Sequence, residues 1–150
     1  MKFNFLIAFA LFSILLAGCA PTPSESEGDG SKVAPSAEVQ ATAFESKELG
    51  FKMQIPAEWQ LQTQLEDATW ASGTVPTLYF RTQDGTDIFA VTRFTLDEWA
   101  QVEAEEGPQP TEIVRNDEYV WTQSQTQDPS GVEAEVEQLP ALWASFSTNL

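Results

Sequence analysis

Four consecutive apolar residues, Ile88-Phe89-Ala90-Val91, constrain this chain more than any other feature. They lie inside a β-rich run from Asp87 to Phe94 and leave no polar face, so that strand must be central and covered on both sides. Its sheet then needs helices on both faces. A second β-rich run, Val75 to Arg81, is joined to it by Thr82-Gln83-Asp84-Gly85-Thr86, whose Asp-Gly step supplies the positive φ of a tight hairpin. Asp84 and Asp87 lack the alternating acidic spacing of a calcium loop and read as turn residues.

Upstream, Phe51, Met53 and Ile55 alternate with Lys52 and Gln54 within Leu49–Pro56, the period of a strand with one buried face. Pro56 ends it. Trp59, Leu61 and Leu65 alternate with glutamines and predict a second, half-exposed strand in which Trp59 is core rather than a ligand platform. Asp67 to Gly73 reads as turn-rich, with a short strand around Trp70.

Downstream, Thr95-Leu96-Asp97-Glu98 has the form of a capping box. Leu96, Trp99, Ala100 and Val102 are the expected inner stripe of a helix that ends before Gly107-Pro108. Thr111–Arg115 and Glu118–Gln125 read as a hairpin about Asn116-Asp117, with Tyr119, Trp121 and Gln123 on one face and Val120, Thr122 and Ser124 on the other. Its distal half turns polar (Thr122-Gln123-Ser124-Gln125-Thr126-Gln127), which suits an edge or an emerging end. Ser130 to Glu133 repeats the capping-box form. Val132, Val136, Leu139, Trp143 and Phe146 then mark one face of a closing helix, with a kink or break expected at Pro140.

The N-terminal region is of another kind. Met1-Lys2 and the apolar run Phe5–Leu16 have the proportions of a signal peptide, since a membrane-spanning helix needs roughly 17–25 apolar residues. The run closes on Leu16-Ala17-Gly18-Cys19, which resembles a bacterial lipobox, and Cys19 is the chain's single cysteine. That resemblance implies removal of residues 1–18 and attachment of a diacylglycerol and an N-acyl chain to Cys19. Ala20, in place of aspartate, implies the outer membrane in a two-membrane bacterium and the outer face of the plasma membrane otherwise. Residues 19–42, rich in Pro, Ser, Gly and Glu, are expected to be a disordered linker. All five tryptophans lie in residues 43–150, a length suited to one domain.

Composition narrows the chemistry. Residues 43–150 hold five Lys/Arg against nineteen Asp/Glu, a surface that repels nucleic acid. The chain has no histidine, which removes Ser-His-Asp and Cys-His catalysis and the common zinc sites. Glycine-rich nucleotide motifs are absent. Glu103, Glu105 and Glu106 fall where a helix dipole disfavours negative charge, which makes them the candidates for a divalent cation or a basic partner.

Phe44, Gly50, Phe51, Pro56 and Trp59, followed by Phe94 to Trp99 and a closing Ser145-Phe146, resemble the PsbP-like domains, many of which are small bacterial lipoproteins. The resemblance implies an α+β fold, an antiparallel β-sheet flanked by helices in an α/β/α sandwich, and carries no catalytic residues over. The expected function is that of a lipid-anchored, extracytoplasmic binding or assembly module of the cell envelope. No enzymatic activity, no cofactor beyond the lipid, and a protein partner in the envelope are expected with it. The alternatives are a divalent-cation-binding lipoprotein and, more weakly, a carboxylate-based hydrolase.

Overall fold

The computed structural model describes residues 40–148, so the expected signal peptide, Cys19 and the expected linker up to residue 39 lie outside the described residues. The fold is α+β and its strands pair antiparallel. It contains β1 (Ala41–Ser46), β2 (Phe51–Pro56), β3 (Gln62–Trp70), β4 (Gly73–Arg81), β5 (Asp87–Thr95), α1 (Leu96–Glu103), β6 (Thr111–Arg115), β7 (Tyr119–Gln125) and α2 (Glu133–Ala144). β1 and β2 form a ribbon, and the remaining strands form a five-stranded sheet in the order β3-β4-β5-β7-β6.

β5 is central, and Ile88 to Val91 are all buried. Its two faces meet different helices. Phe89 packs edge-on against Trp143 of α2, ring centroids 5.0 Å apart. Phe94, five residues on and so on the opposite face, packs against Trp99 of α1 at 5.7 Å. The α2 face carries the larger core, in which Phe51, Met53 and Ile55 of the ribbon join Leu78, Phe80, Val91 and Trp121 of the sheet. Trp121 Nε1 donates to the Leu49 carbonyl at 2.7 Å, tying the ribbon to β7. The α1 face has the smaller cluster of Val75, Phe94, Trp99, Val102 and Val120. There Trp70 Nε1 and Trp99 Nε1 are buried with no acceptor among the described residues.

The ribbon is held by an aromatic chain. Phe44 meets Phe51 and Phe80, and Phe51 stacks on Phe146 at 4.8 Å. Gly50 takes φ +68° to bring the chain into β2, and its amide bonds the Ser46 carbonyl. After α2, Ser147 exchanges two backbone bonds with Lys52, fixing the far edge of β2.

Several expectations change. β1 was not anticipated and begins at Ala41, inside the expected linker, because its exposed and half-buried residues show no clear period. Trp59 sits in a turn, its amide bonded to Pro56, and the strand begins only at Gln62. Leu65 is 46% exposed, since an edge strand is not fully covered. Residues 67–70 continue β3, and the turn is confined to Ala71-Ser72 between the paired Trp70 and Gly73. The α1 capping box is present, with Glu98 N bonded to Thr95 Oγ1 and Thr95 N to Glu98. Leu96 and Ala100, however, face solvent, so burial rests on Trp99 and Val102. No capping box forms at α2: Ser130 bonds Asp128, and the helix starts three residues later at Glu133. α2 runs through Pro140 without a break.

Candidate functional site

β1 and β3 each pair with one strand and present their other edge to no strand among the described residues. Between them lies a cleft of about 290 Å³ lined by Thr42, Phe44, Ile55, Trp59, Leu61 and Thr63. The local sequence explains each wall. The Pro56-to-Trp59 turn lifts the chain off the end of β2 and drops Trp59 and Leu61 into the gap before β3 begins. Both are partly buried against the main core, so Trp59 is packed as expected and also lines the cleft. Phe44 closes the floor through its edge contact with Phe80 at 5.1 Å. Unpaired strand edges beside an apolar slot are the features by which a sheet accepts an extended peptide, the backbone supplying affinity and the slot a side-chain preference.

Glu45, Glu58, Glu66 and Asp67 belong to the segments that frame this cleft. Glu66 is already offset by Arg81, whereas Glu45, Glu58 and Asp67 have no arginine partner among the described residues. Arg81 is clamped by Glu66, Asp87 and Gln64 and lies 4.8 Å from the Tyr79 ring centroid. Two carboxylates raise its pKa further above the ordinary guanidinium value. Burial, with Glu66 and Asp87 nearby, raises the Tyr79 hydroxyl. Arg93 sits over the Tyr119 ring at 4.5 Å, and Arg115 pairs with Glu112.

The expected cation candidates are not brought together. Glu103 ends α1, while Glu105 and Glu106 lie in the exposed segment beyond it. The helix end they were thought to destabilise is satisfied by Gln109, whose Nε2 donates to the Val102, Glu103 and Glu105 carbonyls at 3.0, 3.3 and 2.8 Å. Among the described residues no three acidic side chains converge as metal donors. Asp84 serves its turn, accepting from Thr82 and the Thr86 amide, and these bonds hold its carboxyl below the usual range. Asp87 is engaged by Arg81.

The cleft was missed in the sequence because it needs β1, whose only cue was Phe44 in the PsbP-like pattern. Leu16 to Cys19, the residues of the expected lipobox, lie outside the described residues, among which no helix is long and apolar enough to cross a membrane. Comparison with protein-family models, curated proteins and solved structures finds no match.

Proposed function

We propose that this chain is a lipid-anchored, extracytoplasmic, non-catalytic binding module of a bacterial cell envelope, which takes an extended segment of a partner protein between β1 and β3. The cleft is the observation that carries the binding half of this reading: two unpaired edges flank a slot in which Phe44, Ile55, Trp59 and Leu61 stand beside the hydroxyls of Thr42 and Thr63. The acids of the framing segments favour a partner segment with an apolar centre and flanking Lys or Arg. The anchoring half rests on Leu16-Ala17-Gly18-Cys19 and on the absence of any second cysteine for a disulfide. The PsbP-like resemblance supports the same setting. The chain has no histidine, and among the described residues the acids at turns and in ion pairs form no arrangement that favours the hydrolase reading.

Two measurements test the halves separately. Cys19→Ala should abolish acyl labelling and leave an unprocessed precursor, and labelling that persists rules out the anchor. Photocrosslinking from Thr42 and from Thr63 in native envelopes should give one shared partner band that is absent when the probe sits at Glu118. Failure to obtain a discrete product from either cleft position defeats the peptide reading.

A further inference from the structure

The polar run Thr122 to Gln127 has no role in that cleft, and of the two positions its composition suits it takes the emerging end and not the sheet edge. β7 is interior, between β5 and β6, where strands are normally apolar. Its pairing with β6 stops at Gln123 opposite Thr111, while pairing with β5 continues to Gln125. The strand therefore emerges on one side only. By register Ser124 shares a face with Ala90 and Tyr79, and the row before it is Thr77, Thr92 and Thr122. This is the α1 face. An eight-residue helix is only about 12 Å long and covers the Phe94 and Val120 end of it, leaving the Ser124 end without a helix.

A cavity of about 340 Å³ occupies that place, with Trp70, Pro108, Gln109, Pro110, Ser124 and Gln127 in its wall. A smaller hollow of about 150 Å³, lined by Tyr79, Asp87, Phe89 and Ala90 among others, borders it at Ser124 and Gln125. The wall is held in shape: two prolines fix its backbone and the Gln109 amide ties it to three carbonyls at the end of α1. A preformed wall reduces the ordering cost of binding.

We infer that the larger cavity is a second binding site, for a neutral polyhydroxylated ligand of the saccharide-chain class. The larger cavity has no charged side chain in its lining, in a domain with nineteen acids and five bases. Its polar groups are amides and hydroxyls, which both donate and accept, as alternating hydroxyl groups require. An anionic ligand would meet the acidic field of the domain with no Lys or Arg in the cavity, and a cation would find no carboxylate there. Trp70 supplies the broad apolar surface on which the C–H face of a sugar ring stacks. The volume lies in the range of small-molecule sites. The site lies across the sheet from the core face on which the ribbon packs, so the two can be occupied independently.

The test uses the full chain in phosphocholine nanodiscs free of glycolipid, titrated calorimetrically with maltotriose, cellotriose and chitotriose. At least one should bind saturably. The double variant Gln125→Glu/Gln127→Glu, at two exposed positions, should weaken that binding at least tenfold without changing the melting temperature. Trp70→Ala should do the same, but because its ring packs on Phe94 the double variant decides. Absence of saturable binding with all three trisaccharides, or binding that the double variant leaves unchanged, overturns the assignment.

Discussion

Glu112 and Arg115 stand three apart on a strand, a spacing that ordinarily puts side chains on opposite faces. The register shift between Glu112 and Val114 restores them to one side, and Arg115 Nε reaches Glu112 Oε1 at 2.8 Å. Arg115 therefore holds the Glu112 carboxyl below its ordinary value of 4.5. A carboxyl depressed in the folded state contributes stability above its unfolded pKa and loses it as pH falls through the folded one. Glu112→Gln should cost about 0.2–1 kcal/mol at pH 7, the range of exposed pairs, and the gap should close as pH drops below 4.5. Urea unfolding of both proteins at pH 7 and pH 3 checks this, and a gap that persists at pH 3 would show that the effect is not ionic. None of this was legible in the sequence, because the pairing depends on a bulge. The turn role of Asp84 was legible, because Asp-Gly chemistry is complete within five residues.

Among the elements, α2 carries a local conflict. Pro140 lacks the amide that would bond the Val136 carbonyl, yet the helix continues to Ala144 with Leu139 and Leu142 buried. Tertiary packing of the apolar stripe on the sheet outweighs the local cost, and Pro140 itself is exposed, so its ring displaces no core residue. Pro140→Ala should stabilise the domain by up to about 3 kcal/mol, seen as a higher urea midpoint at unchanged m. A midpoint that falls would mean that the proline sets the helix direction needed for Trp143 to reach Phe89. Of the expected kink or break, the break does not occur, because buried Leu139 and Leu142 hold the helix on the sheet on either side of Pro140. At α1 the capping box marked the start correctly, while the inner stripe was misjudged at Leu96 and Ala100. An eight-residue helix lying against one end of a sheet buries only a narrow face.

For the whole molecule, charge is distributed so that the arginines are engaged while most acids face outward. Repulsion among nineteen acids should then outweigh the three described ion pairs, each of them at least partly exposed to solvent. Raising sodium chloride from 0.01 to 1 M shortens the screening length from about 30 to about 3 Å, and the melting temperature should rise. A fall would show that the Arg81 clamp and the Arg115 pair dominate.

The α+β class was implied by the PsbP-like resemblance. The sequence by itself determined the burial alternation of β2, the central place of β5, the β4–β5 hairpin and the cap of α1, each of which follows from side-chain period or turn chemistry acting within about ten residues. Only the tertiary structure decided that β1 exists as a partner for β2, that β7 lies inside the sheet despite its polar run, and which strand edges and which half of a sheet face stay uncovered. Those outcomes depend on contacts between distant residues, such as Trp121 with Leu49 and Ser147 with Lys52. The binding surfaces proposed for this protein are made of what such contacts leave open, and no local pattern records that.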